Sequence, residues 1–501
     1  MSFRLSVVLI VAVLGGTALA AKRGEVELRV IDAKTREPIA VRMHLKDQKG
    51  KIVKPPKTAF WHDHFVLDGA LKLELPPGNY SFTIERGLEY KDLSGYFQIE
   101  DKASDVKELT LERFITMADD GWYSGDLFLQ RPATEIEALM RADDLHIAPL
   151  IGWSTKQAAK TEDATPTKFD GNRFFQLLGG YDDRDTAGLL YFDLRKPLDL
   201  TAATKEFPAS IHYLDRAKES ACYTVAQRAT CWDLPVWIAT NQLDAVSIAH
   251  ADMLREGALA KESPGKKRDT LLYPPPHGVG RWSQDVYYEL LNAGIRISPA
   301  AGSGSDLVGN PAGYNRVYVH CEGELTWEKW FEGLQAGKVV VTNGPVMQPR
   351  ANGELPGHVF TATAGETVEL SVSLNLSTRE RIEYLELVHN GKVVHEVRLD
   401  KWAEANGVLP PVKFSESGWL LVRAVTNNAK TYRYATSGPF YIEIGGKPRI
   451  SKKSAQFFFD WTFERARQIK LSDPAQQDEV ISHHRTARDF WQSRLDAANA
   501  E

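Results

Sequence analysis

Cysteine is scarce: the 501 residues contain three, Cys222, Cys231 and Cys321, an odd number at wide spacing. Two readings stay open for them, a small Cys222–Cys231 disulfide loop or three buried thiols. Long runs of one charge are missing as well. Lys plus Arg is 61 and Asp plus Glu is 66, a formal net charge of −5, which excludes the basic footprint of a nucleic-acid binder or of a protein drawn to anionic membranes. No apolar run beyond residues 5 to 14 approaches the length of a membrane span. Internal repeats and low-complexity linkers are absent. No G-x-S-x-G elbow precedes a helix, so a serine hydrolase of the common α/β type is not indicated.

What is present begins with residues 1–20, "MSFRLSVVLIVAVLGGTALA", where one early cation, an apolar run and small residues at Ala18 and Ala20 form a secretory signal with cleavage before Ala21. The chain is therefore expected to be exported, periplasmic or extracellular, with no membrane span once the signal is removed. Residues 24–113 alternate apolar and polar side chains around Gly, Pro and Asn turns, as in "GEVELRVIDA" and "LKLELPPGNYSFTIERG", which predicts an N-terminal β-sandwich. Over 114–350, helical patterns such as "ATEIEALMRADDL" and "SQDVYYELLNA" alternate with short apolar runs such as "HIAPLIGW" and "DAVSIAH", which predicts a parallel α/β barrel or open sheet with chemistry at the carboxyl ends of its strands. Residues 351–446 return to strands, with Asn390-Gly391 marking a hairpin, and predict a second β-sandwich. Residues 447–501 read as helices packed back on the body.

Several ordered stretches then resemble one family: "GWYSGDL" at 121–127, "LMRADDLHIAPLIGW" at 139–153, "WDLPVWIAT" at 232–240, "QDVYYELLNAGIRISPAAGSGSD" at 284–306, "NPAGYNRVYVH" at 310–320 and "VTNGPVMQPRANGELPGHVF" at 341–360. Together they are similar to the CehA/McbA metallohydrolases, the carbaryl-hydrolase branch of the PHP superfamily. The resemblance implies a PHP-like distorted (β/α) barrel flanked by the two sandwiches, holding divalent metal ions that activate water. Such chemistry needs imidazoles and carboxylates converging on the ion.

The chain departs from the family at those positions. Where relatives read D-L-H-V-H-R it has Asp126-Leu127-Phe128-Leu129-Gln130-Arg131; where they read G-E-D-E-R it has Gly180-Tyr181-Asp182-Asp183-Arg184; where they read N-N-H-M it has His250-Ala251-Asp252-Met253. An acidic position before "WDLP" falls on Gln227. Phe128 cannot ligate, Gln130 offers an uncharged amide, and Tyr181 ligates only if ionised. No family metal is therefore expected. The cleft candidates are Asp126, His146, Asp182, His250, Asp252 and Asp306. In the alternative, His146, His250 and Asp252, with Asp126, rebuild a site for Zn, Mn or Fe; otherwise these residues are hydrogen-bonded strand ends and walls.

Three further features carry a choice. Asp182, Asp183 and Arg184 read as an ion-pair cluster rather than substrate-binding charges. His62 and His64 in "FWHDHF" have H-x-H spacing, but the flanking aromatics favour packing of the first sandwich against the body. "GSGSD" at 302–306 offers amides for an anion, although such loops more often turn the chain. The leading expectation is an exported CehA/McbA-like protein with a degenerate, non-catalytic barrel that binds an extracytoplasmic ligand, glycan or protein. An active hydrolase with a rebuilt metal site and an assembly protein built on the sandwiches are the alternatives.

Overall fold

The computed structural model describes residues 23–160, 163–185, 187–220 and 222–501; the secretory signal predicted at 1–20 lies outside them. The first hundred described residues form two facing sheets. One has the order Ala70–Leu75, Gly24–Asp32, Ser104–Leu111; the other runs Phe60–Trp61, His64–Asp68, Ala40–Asp47, Gly78–Glu85, Leu93–Ile99. Period-two alternation puts Val26, Leu28 and Val30 of the first against Val41, Met43, Leu45, Phe65 and Leu67 of the second in one core.

The predicted PHP-like (β/α) barrel at 114–350 does not form. The protein is mostly β, 37% strand against 21% helix, which is far from the balance of a barrel with one helix per strand. Its strands join a 16-stranded mixed sheet. The main path runs Ser298–Ala301, Ala245–Ala249, Tyr223–Ala226, Leu189–Phe192, Arg173–Asp182, Ile147–Ser154, Trp122–Gly125, Arg316–His320 and Val339–Thr342, then on through Tyr434–Ser437, Gly418–Thr426, Ile382–His389 and Lys392–Arg398. Helical crossovers do give parallel pairing between Tyr223–Ala226, Ala245–Ala249 and Ser298–Ala301.

Elsewhere neighbouring strands run antiparallel, at one place because the connection is too short for a crossover. Six residues separate Asp182 from Leu189, so that pair is antiparallel; Leu189–Phe192 and Tyr223–Ala226 are also antiparallel, although a helix lies between them. Trp122–Gly125 is likewise antiparallel to Arg316–His320. Where a barrel would need a closing strand, Leu129 makes isolated bridges to Leu150 and Ser305.

The sheet also crosses residue 350, because Val339–Thr342 pairs with Tyr434–Ser437. One apolar core accordingly holds Val341, Trp419 and Tyr434 together. The hairpin at Asn390-Gly391 joins Ile382–His389 to Lys392–Arg398, with φ of 50° and 83° at the two turn residues; both values are positive, as a type I′ turn requires.

At the C-terminus, Lys452–Ala466 and Pro474–Asp496 pack on the helices Leu234–Ala239 and Gly278–Asn292. Their indoles serve as anchors: Trp461 Nε1 donates to Trp232 O and Trp491 Nε1 to Pro235 O, each at 3.0 Å. Beneath them buried Arg465 pairs with Asp233 at 2.7 Å and with Glu206. Cys222, Cys231 and Cys321 are free, buried thiols. Among the described residues no helix is long and apolar enough to cross a membrane.

Candidate functional site

The segment following Trp122–Gly125 is built around Asp126, which is fully buried. Its Oδ1 accepts from Phe128 N at 3.0 Å and Ser303 N at 2.9 Å, and its Oδ2 from Gly313 N at 2.7 Å. Burial raises its pKa to about 6, against the pull of those donors. Both oxygens are thus occupied in tying three chain segments together. Phe128 is 1% exposed and its ring meets Tyr181 edge-on at 4.9 Å. Gly302 permits this approach, since a Cβ there would lie 2.5 Å from the Phe128 Cβ.

Burial pushes the Tyr181 phenol well up, against the opposing effect of Arg228. The Arg228 guanidinium lies beside the Tyr181 phenol and holds Gln227 Oε1 and Pro264 O. Asp252 faces the same arginine electrostatically. Its oxygens accept from Ser263 N at 2.9 Å and Ser263 Oγ at 2.6 Å. Burial lowers the pKa of His250 to about 4; its Nδ1 faces Asp252 N at 3.4 Å, and its Nε2 has no partner.

The remaining candidates stand apart from this group. His146 Nδ1 accepts from Ser124 N at 3.3 Å, the ring lies edge-on to Tyr123 at 5.2 Å, and burial lowers its pKa to about 3. Asp182 is held by both prongs of Arg184, at 2.8 and 2.5 Å, while Asp183 accepts from Thr155 N at 3.1 Å and pairs with Lys156. Asp306 stands on a positive-φ turn, partly exposed and 3.7 Å from Arg131. Gln130 is half-buried, and its backbone N donates to Ser305 O.

The amides of 302–305 are consumed internally, by Ala249 O, Asp126 Oδ1, Phe128 O and Ser303 Oγ, so this loop is no anion cradle. The rebuilt set of His146, His250 and Asp252 is not drawn to one point.

Two other polar assemblies emerge, neither legible as a unit in the sequence. The first is a cavity of about 30 Å³ between the N-terminal sheets and the central sheet, lined by Arg42, Arg255, Arg316, Arg379 and Arg433 with Glu85, Asp92, Asp143 and Glu380. Arg42 bridges Glu85 and Asp143, and Arg433 holds Glu380 at 2.7 Å. Arg42 Nε, Arg316 Nη1 and Arg433 Nε are buried and have no hydrogen-bond partner among the described residues. Burial lowers the pKa of Arg379 to about 10, with Arg42 and Arg433 adding to the effect and Glu85 opposing it.

The second assembly lies in the hairpin at His62-Asp63. Asp63 is met by His44 Nδ1 at 3.2 Å, His64 Nδ1 at 3.0 Å and His62 Nδ1 at 3.6 Å. His44 was absent from the reading of this motif. The strand register that sets Met43 opposite Phe65 brings the next pair, 44 and 64, together. The aromatics of the hairpin do pack on the body: Trp61 Nε1 donates to Val308 O at 2.8 Å, and Arg131 lies 5.1 Å from the Trp61 ring centre.

Comparison with known proteins adds little. No family model matches the chain, and no curated protein matches it. Among solved structures, GBS52, the minor pilin of the pathogen Streptococcus agalactiae, is similar at 20% identity with a TM-score of 0.17, over 19% of this chain and 47% of the pilin. The Bacillus anthracis TIE protein is similar at 18% identity with a TM-score of 0.15, over 23% of this chain and 20% of that one. This chain spans less than half of either protein, and likenesses at such scores carry no argument about fold or function.

Proposed function

We propose that the protein is an exported, non-hydrolytic relative of the CehA/McbA metallohydrolases that binds an extracytoplasmic ligand, a glycan or a protein, rather than cleaving it. The observation that carries the reading is the use made of Asp126 and Phe128. Both carboxylate oxygens of Asp126 are committed to backbone amides, and an aromatic contact occupies the neighbouring position where the family's imidazole would reach a metal. An ion placed there would have to displace buried hydrogen bonds, each costing about 1–3 kcal/mol when broken without replacement.

The arginine-lined cavity supports a binding role. Its partnerless buried N–H groups favour an anionic group, a carboxylate or a phosphate, which accepts charge-assisted hydrogen bonds from guanidinium forks. At about 30 Å³ the cavity admits the tip of a ligand and not a whole sugar ring.

The test is elemental mass spectrometry on native protein incubated with Zn, Mn or Fe and desalted, beside Asp252→Ala. Metal that is retained by the native chain and lost on Asp252→Ala would show a rebuilt hydrolase centre and overturn the reading. No metal that depends on Asp252, and no turnover in a hydrolase screen, is the expected result.

A further inference from the structure

We propose that His44, Asp63 and His64 form a binding site for one divalent transition-metal ion, Zn²⁺ or a similar first-row ion, in the N-terminal hairpin. The inference is independent of the reading of Asp126. One ligand atom from each of the three residues can be chosen so that all lie within 4.8 Å of one another. Two imidazoles and a carboxylate are a common donor set for such ions, and a fourth position left to water completes a tetrahedron.

The spacing fits that chemistry. Ligands held at about 2.0–2.1 Å from a tetrahedral zinc lie about 3.3 Å from one another. His44 Nδ1 stands 3.2 Å from one carboxylate oxygen of Asp63 and His64 Nδ1 3.0 Å from the other, so either oxygen has an imidazole nitrogen near that separation. The third imidazole, His62, lies 3.6 Å from Asp63 and its side chain is 63% exposed.

The donors are also held for the purpose. His44 and His64 are 7% and 3% exposed, on paired strands that fix their separation. Among the described residues Asp63 at the turn receives no backbone N–H and is met by imidazoles alone, unlike Asp126. The nearest cation, Arg42, is already bridged to Glu85 and Asp143, so its charge is largely offset. The ion would act as a clasp on the hairpin whose Trp61 and His62 lie against Val308 and Gly309 of the central body.

The experiment is zinc binding to the full chain by calorimetry, followed by metal analysis after desalting, for native protein, His64→Ala and Asp63→Asn. The last is nearly isosteric and sits on a turn, which guards against misfolding; circular dichroism checks each variant. One zinc per chain, a raised melting temperature when it binds, and at least tenfold weaker binding in both variants are expected. Asp252→Ala should leave binding unchanged, which separates this site from the one considered above. No zinc binding by the native chain, or binding unaffected by Asp63→Asn, would overturn the proposal.

Discussion

Asp126 and Asp63 each sit at the centre of a polar cluster, yet their surroundings are opposite. Asp126 is wrapped in backbone amides from three segments and shut from solvent; Asp63 is partly open and ringed by side-chain imidazoles. Amides pin a carboxylate as part of the architecture, because they cannot leave without moving the chain. Imidazoles can turn to a metal while their strands stay in place. The presence of a carboxylate therefore says less about chemistry than the kind of donor that surrounds it.

The sharpest way to break this comparison is Asp126→Ala, which leaves three buried N–H groups without an acceptor. It should cost about 3–9 kcal/mol in urea unfolding, at about 1–3 kcal/mol for each orphaned donor. A variant that unfolds like the native chain would remove the architectural role. Arg465→Met calibrates the scale at a third place: it strands Asp233 and Glu206, buried beneath the C-terminal helices, and should lose about 3–5 kcal/mol. Introducing alternating imidazoles with Phe128→His and Gln130→His should add no metal that survives desalting, and should cost about 2–4 kcal/mol through the lost packing of Phe128.

Acidity gives a smaller effect, of determined sign. His146 and His250 have folded-state pKa values lowered by burial to about 3 and about 4, below their unfolded value near 6.5. As pH falls below that value the unfolded chain takes up protons that the folded chain refuses. Stability therefore drops on acidification from about pH 6.5 towards pH 4, by up to about 1.4 kcal/mol per pH unit for each histidine. Asp126, with its raised pKa of about 6, works in the other direction between its unfolded value of about 4 and pH 6. His146→Gln should flatten the slope measured by urea titration at several pH values. Least of all, Arg36→Ala removes an exposed pair with Glu108 and should change stability by less than about 0.5 kcal/mol.

Much of the local structure could be read directly from residues. Alternation in Gly24–Asp32 and Gly78–Glu85 located strands, and Asn390-Gly391 marked its hairpin, because each signal is set by neighbours in sequence. The barrel reading failed where strand direction depends on connection length. The six residues between Asp182 and Leu189 permit a hairpin and no helix, a constraint that the helical texture elsewhere obscured. That Phe128 and Tyr181 stand where the resemblance leads one to expect ligands was visible as letters, but their mutual contact was not. His44 escaped because its distance from His64 is set by strand register, which no spacing rule over twenty residues supplies. The cavity arginines, scattered from 42 to 433, left no sequence signal as a group.

The pairing of Val339–Thr342 with Tyr434–Ser437 has a consequence for the order of events on the ribosome. Chains emerge from the N-terminus first, so the edge of Val339–Thr342 stays unmatched until about ninety further residues have been made. The N-terminal sheets, whose partners all lie within the first 111 residues, can form early. The central sheet has to wait, with an apolar edge open to wrong partners, and a chain cut at residue 350 would keep that edge permanently bare.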